Sequence, residues 1–345
     1  TEGRPGPVHI DVPISVADAP AQGTGVLRPP AAAVAPVGPD LDRARAALAA
    51  AKRPLIVAGL DAVVEGAATA IHSIHVSERG RAGMVHMDRE AEGLPAIGYV
   101  IPAREIGTVL DAAVARASDV DVLCPAVLTA VSHTEAAVSV TVRQDGRDTD
   151  LQAALLVAAD GASSFLRELA GIDTTVTDYA QTAIVTNVTP QLPHHNIAYE
   201  RFTPDGPIAL LPMSGQRCGL VWTVASGQAD AIMALDDAAF LEQFQARFGQ
   251  RLGRLQRVGR RQAWPLRLVS ASESVAERLA LVGNAIHTLH PVAGQGFNLG
   301  ARDVAVLAEV LVDASRRGED IGSAPVLSRY GEWRRQDHRN VTLFT

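Results

Sequence analysis

Gly283-Asn284-Ala285-Ile286-His287-Thr288-Leu289-His290-Pro291-Val292-Ala293-Gly294-Gln295-Gly296-Phe297-Asn298-Leu299-Gly300-Ala301-Arg302-Asp303 joins a strand end, a glycine-rich turn and a helix start. Upstream, Arg278 to Gly283 is a short apolar run ending in glycine, the pattern of a buried strand feeding a turn. Gly294, Gly296 and Gly300 remove Cβ atoms where a bound group could lie against the main chain. Val306, Leu307, Val310 and Leu311 then recur at helical spacing, which predicts a helix starting near Asn298. The unpaired N–H groups and positive end of such a helix favour an anionic group such as a phosphate. A plain strand, loop and capped helix is the alternative. The joint occurrence of Asn284, His287, Pro291, Gln295 and Asn298 with the glycines favours a cofactor loop.

At these residues the chain resembles the second FAD-binding motif of the aromatic-ring flavoprotein monooxygenases. The wording GNAxxTLHPxAGQGFNLGxRD is similar to the ubiquinone-biosynthesis FAD-dependent hydroxylases, the 2-polyprenyl-6-methoxyphenol hydroxylase type. Many relatives carry Asp where Asn284 stands, a change that keeps a hydrogen-bonding group for the ribityl chain and removes a charge. A second signal is Leu155 to Arg167, an apolar strand running into Asp160-Gly161, with Ser163-Ser164 placed to cap a helix. It resembles the family's D-G-x-x-S-x-x-R motif at Asp160, Gly161, Ser164 and Arg167. Arg104 falls where relatives place a residue contacting FAD, and a surface arginine at a helix start reads equally well.

The resemblance implies an α/β (α+β) chain with the aromatic-hydroxylase-type FAD-binding fold and an antiparallel substrate-domain sheet. The body spans residues 69–345, with the sheet at about 180–265 and flavin-binding parts at about 98–170 and 276–315. Four strand-like runs support the sheet: Ala183 to Val188, Ile197 to Phe202, Ile208 to Met213 and Gly219 to Val224. Ile71 to Gly83 reads as a strand and turn, and Gly98 to Val114 as a strand followed by a helix. Val138 to Val142 is a half-buried strand before a turn at Asp145-Gly146, with Val127 to Val131 as candidate partner.

The implied site residues are Arg104, Asp160, Gly161, Gly283, Asn284, Pro291, Gly294, Gln295, Gly296 and Asn298, all cofactor-binding. No side chain is singled out as catalytic acid or base. The implied activity is hydroxylation of the aromatic ring of a polyprenyl-phenol precursor in ubiquinone biosynthesis, with FAD as cofactor, NAD(P)H as co-substrate and O2 as oxidant. A quinone-biosynthesis enzyme complex is an expected partner, and the expected location is cytoplasmic or peripheral to the inner membrane.

The N-terminal text differs. Gly3 to Pro13, a Pro- and Ala-rich run through Pro29, Pro30, Pro36 and Pro39, and the helix and strand pattern from Leu41 to Gly59 resemble a fragment of acetolactate-synthase-like thiamine-diphosphate enzymes over residues 1–68. That family's Gly-Asp-Gly diphosphate motif is absent from the sequence. So is the G-x-G-x-x-G fingerprint with which the hydroxylases grip the ADP half of FAD. The expected fold therefore lacks its N-terminal dinucleotide-binding unit, and the change of family between about Gly66 and His72 suggests a fusion, assembly error or chimera. A thiamine-diphosphate-dependent lyase or synthase and a non-catalytic scaffold are the alternative functions.

Composition excludes other classes. Of 345 residues, 47% are hydrophobic and 20% charged, ordinary for a globular protein, and the net charge of −7 argues against nucleic acid as a partner. Cys124 and Cys218 lie far apart with no C-x-x-C, so neither a disulfide framework nor a zinc site is expected. The pairs His72/His75, His194/His195 and His287/His290 lack H-E-x-x-H spacing, and no metal is expected. No apolar stretch reaches membrane-spanning length without a charge, so no transmembrane segment is expected. There is no G-x-S-x-G elbow of a serine hydrolase.

Overall fold

The computed structural model describes residues 68–81, 83–289 and 295–344. The thiamine-enzyme-like segment up to residue 67, and the site residues Pro291 and Gly294, lie outside the described residues. The described chain forms two units, the first from residues 68–116 and Ala180–Pro265, the second from Ala117–Tyr179 and residues 266–344.

The first unit opens with β1 (Thr69–Ile71), β2 (Ser73–Glu78), β3 (Met84–Asp88), β4 (Gly98–Val100) and α1 (Ala103–Arg116). The second follows with β5 (Val127–His133), β6 (Val138–Gln144), β7 (Arg147–Ala153), β8 (Leu156–Ala158) and the short α2 (Phe165–Leu169). Strand β9 (Thr174–Pro190) carries the chain back to β10 (Ile197–Thr203), β11 (Gly206–Met213), β12 (Arg217–Ala225), α3 (Ser226–Met233), α4 (Asp237–Phe248) and β13 (Leu255–Val258). Strand β14 (Gln262–Ala271) returns it to β15 (Val275–Ala276), β16 (Leu279–Leu281), a 3₁₀ turn at Gly283–Ala285, β17 (His287–Thr288), α5 (Gln295–Arg316) and α6 (Ala324–Phe344).

In the first unit the strand order is β9-β12-β11-β10-β2-β3. Alternation sets its two faces: β11 reads buried and half-buried in strict turn, with Ile208 and Leu210 inward. Helix α4 covers that inner face because Phe240, Phe244 and Phe248 recur every four residues along one stripe. Trp222 of β12 meets Phe240 and Phe244 edge-on at 5.5 Å each, and Ile184, Leu220 and Val224 complete the core. Asp236 caps α4 by accepting the Ala239 N–H at 2.8 Å.

The four expected runs form β9 to β12 with antiparallel pairing. The sheet as a whole is mixed, because β10 pairs parallel with β2, a strand from well before residue 180. Two features concealed this. Strand β2 turns Ser73, His75 and Ser77 to the buried face, and a parallel partner needs a long crossover that local patterning does not reveal.

In the second unit β5, β6 and β7 form a meander, confirming Val127 to Val131 as the partner of Val138 to Val142. Asp145 and Gly146 both take positive φ, 51° and 76°, as a tight two-residue hairpin turn requires. Strands β15, β16 and β8 form a three-stranded sheet in which β8 and β16 are parallel. Helices α5 and α6 supply Val306, Leu307, Val310, Val326, Leu327 and Tyr330 to a core on Ala280 and Val282.

Candidate flavin site

The two sequence motifs meet at the carboxyl ends of β8 and β16. Ala158 pairs with Leu281, and the Val282 N–H donates to the Ala158 carbonyl at 3.0 Å. From there Asp160-Gly161 and Gly283-Asn284 leave adjacent parallel strands, the position at which α/β sheets bind ligands. Gly161 and Gly283 take φ of 85° and 59°, left-handed backbone that lets both turns bend sharply.

Arg167 joins the turns. Its side chain is buried, and its guanidinium donates to the Ala162 carbonyl beside one motif and to the Ala285 carbonyl of the other, each at 2.8 Å. Ser164 caps α2 by accepting the Arg167 N–H at 3.0 Å, as expected of the Ser163-Ser164 pair. One Asp160 oxygen, Oδ2, accepts the Leu166 N–H at 3.2 Å, and the residue is exposed. Replacing Arg167 by Leu strands two carbonyls and should cost about 2 kcal/mol in chemical denaturation, with Lys recovering part of the loss.

Helix α5 begins at Gln295, one turn before the expected Asn298. Gly296, which precedes the expected start, lies inside the helix, and Gly300 serves close packing. A Cβ on Gly300 would stand 3.2 Å from the Cα of Gly283, so the first turns of α5 rest on the Gly283 turn backbone to backbone. Among the described residues, no atom outside the helix's own first turns lies within 4 Å of where a Gly296 Cβ would project, at the positive end of a 22-residue helix. Asn298 is half-buried there, and Asn284 is exposed on the 3₁₀ turn. A Gly300→Val variant should push α5 off the turn, costing about 2 kcal/mol and weakening FAD binding, measurable by denaturation and flavin titration together.

Below the turn lies a cluster the sequence reading missed. Asp303 is fully buried and accepts the Gly283 N–H at 3.1 Å, the Arg334 Nε–H at 2.7 Å and the His338 Nε2–H at 2.6 Å. His287 packs against His338 with ring centroids 4.8 Å apart and lies 3.9 Å from Asp303. Burial pushes the Asp303 carboxyl up, but the bonds from His338 and Arg334 outweigh it and hold the group below the usual carboxylate range. The ligand atoms of His287, Asp303 and His338 lie within 4.8 Å of one another. Because the Arg334 guanidinium already holds the carboxylate, the group reads as an ion-pair hub that braces the turn. A signal was present in the sequence. Asp303 falls on the apolar stripe of Leu299, Val306, Leu307 and Val310, and Arg334 on that of Leu327 and Tyr330, so each charge required a buried partner.

Arg104 lies in the first unit, exposed near the start of α1, where its Nε pairs with Glu105 at 2.9 Å. The side chain of Gln295 and all of Pro291 and Gly294 lie outside the described residues.

The family described as FAD binding domain matches residues 53–345, which takes in Arg53 to Gly59, part of the segment read above as thiamine-enzyme-like. Ubiquinone hydroxylase UbiL of Rhodospirillum rubrum is 40% identical over 303 residues, covering 88% of this chain and 70% of that protein. The 3-demethoxyubiquinol 3-hydroxylase of Escherichia coli is 38% identical over 188 residues, 54% of this chain and 48% of that one. The chain thus spans between about half and 70% of the length of these relatives. The crystal structure of p-nitrophenol 4-monooxygenase PnpA from Pseudomonas putida shares the fold, with a TM-score of 0.67 at 19% identity over 82% of this chain and 72% of that one. With the family matched over most of its length and the two glycine turns at the ends of paired parallel strands, the chain belongs to the FAD-binding-domain family, among the ubiquinone-biosynthesis FAD hydroxylases.

Proposed function

We propose that this chain hydroxylates the aromatic ring of a polyprenyl-phenol precursor in ubiquinone biosynthesis, using FAD, NAD(P)H and O2. The observation that carries the reading is the pair of turns at Asp160-Gly161 and Gly283-Asn284, with the first turns of α5 braced against Gly283. The residues fit a flavin. Asp160 and Asn284 offer exposed polar groups for the hydroxyls of a ribityl chain, and the α5 N-terminus offers N–H groups to an anionic ring edge. Bound FAD would supply the redox chemistry that passes reducing equivalents from NAD(P)H to oxygen. The protein orients the ring and stabilises negative charge with preorganised dipoles, the same physics as an oxyanion hole.

An apolar substrate fits the first unit. On the sheet face opposite the α4-covered core, Val185, Val221, Ala209, Glu200 and Val76 stand in one cross-strand row and are half-buried, an apolar run interrupted by one carboxylate. A prenylated phenol suits such a surface, and its tail brings the enzyme to a membrane surface and to neighbouring enzymes of quinone synthesis. No helix among the described residues is long and apolar enough to cross a membrane. The test is aerobic incubation with FAD, NADPH or NADH and a short-chain polyprenylphenol. The expected result is phenol-stimulated NAD(P)H oxidation with a product heavier by one oxygen atom. An FAD-saturated protein that neither oxidises NAD(P)H nor forms this product would overturn the reading.

A further inference from the structure

We propose that Arg201, Arg251 and Arg79, together with His75 and Tyr199, form a binding site for a phosphate-class oxyanion on the α4-covered face of the first unit. The site shares no residue with the flavin turns, so the proposal stands apart from the function argued above.

The register builds it. Tyr199 pairs with His75 and Arg201 with Ser77 on β10 and β2, on the same face as Trp222 and Leu220. Toward β2 the apolar core gives way to cations. The Arg79 N–H donates to the Phe202 carbonyl at 2.9 Å, which sets Arg79 beside Arg201. Phe248, the last residue of α4, meets Tyr199 edge-on at 5.8 Å, and Arg251, three residues on, lies close enough for its charge to act on Tyr199. His75 lies 5.8 Å from Tyr199 and 6.2 Å from His86, centroid to centroid.

What sets this cluster apart is that no counter-charge pairs with it among the described residues. Buried or half-buried arginines elsewhere in the molecule have acceptors: Arg167 two carbonyls, Arg278 Asp320, Arg334 Asp303 and Asp337, Arg261 Asp237 and the Leu235 carbonyl. Arg201 is half-buried with no hydrogen bond or ion pair among the described residues, and its Nε is sealed from solvent, as is His75 Nε2. Burial and the like charges of Arg251 and Arg79 lower the Arg201 pKa, and burial with Arg251, His86 and Arg201 lowers that of His75. The acids nearby are engaged: Glu78 with Arg81 at 3.2 Å, Asp88 with the Ser73 hydroxyl at 2.7 Å. Nor do the arginines serve the carboxyl end of α4, whose neighbouring carbonyls at Gly249 and Gly253 accept from Gln245.

Three guanidinium groups with no acid paired to them among the described residues repel one another, and a dianion among them removes that cost while filling their donor forks. A neutral His75 adds one donor without adding repulsion, and the Tyr199 hydroxyl another. A free phosphate ester and a phospholipid headgroup present the same chemistry.

The test is calorimetric titration of the full chain with inorganic phosphate at fixed ionic strength, repeated on Arg251→Gln and Arg201→Gln, with circular dichroism to confirm folding. Arg251 is exposed, so its variant keeps the fold. Saturable binding that each variant weakens by about tenfold or more is the expected result. A parallel arm sediments the protein with phosphatidylcholine vesicles, with and without phosphatidic acid. Retention only with phosphatidic acid, lost in Arg251→Gln and competed by phosphate, assigns the site to a headgroup. No retention alongside phosphate binding assigns it to a free ester. Absence of phosphate binding, or binding by both variants as tight as by the parent, overturns the proposal, and neither outcome depends on whether FAD binds.

Discussion

Replacing Asp303 by Asn should lower the unfolding free energy by about 4 kcal/mol, the largest single loss we expect in the second unit. The carboxylate is fully buried and serves three donors at once, Gly283 N–H, Arg334 and His338. An amide keeps the volume but presents an NH₂ group to donors, and it leaves the Arg334 cation only Asp337 as counter-charge. Chemical denaturation measures the loss. Arg334→Met should also destabilise, and the double variant should cost clearly less than the two singles together, because each single change strands the other charge. Additive losses would show that the two groups do not act as a pair. Since Asp303 also holds the Gly283 N–H, the single variant should weaken flavin binding even where the protein remains folded.

The second large effect is acid lability between pH 6.5 and about 4. His287 is buried with no hydrogen bond to either ring nitrogen among the described residues, and burial lowers its pKa from the ordinary 6.5 to about 4, with Asp303 opposing and His338 and Arg334 adding to the shift. The sign follows from proton uptake. Between these values the unfolded chain binds a proton that the folded chain excludes, so stability is complete above 6.5 and falls as pH drops toward 4, by about 3 kcal/mol. Asp303 adds a separate loss at still lower pH, because its folded pKa lies below the usual carboxylate range. Denaturation midpoints across this window should slope for the parent protein and flatten for His287→Gln. A parallel slope in both would place the titrating group elsewhere.

Much of the site was legible because its parts are local. An apolar strand, a glycine turn and a helix start are neighbours in sequence, so Asp160-Gly161 and Gly283-Asn284 announced themselves as strand-end turns. Ser164 was readable as a cap for the same reason. What was not legible is long-range. Nothing local shows that β8 and β16 are adjacent and parallel, or that Arg167 spans from one motif to the other across 118 positions. The onset of α5 was misplaced because Gly296 falls in its first turn and glycine normally weakens a helix, and the contact that Gly300 makes with Gly283 is long-range. Asp303 and Arg334 could have been found, since each interrupts an apolar stripe, but their pairing spans two helices. Strand β2 hid behind Ser73, His75 and Ser77, polar residues on a buried face.

The most direct test of the account is a titration of FAD into the purified protein, followed by flavin fluorescence, on the parent and on Asp160→Ala. The account holds that the turns at the ends of β8 and β16, with the first turn of α5, grip the flavin and ribityl end. It predicts saturable binding of one FAD per chain, competition by riboflavin, and affinity at least about tenfold weaker in Asp160→Ala. No saturable change, or equal affinity in the parent and the variant, would contradict it.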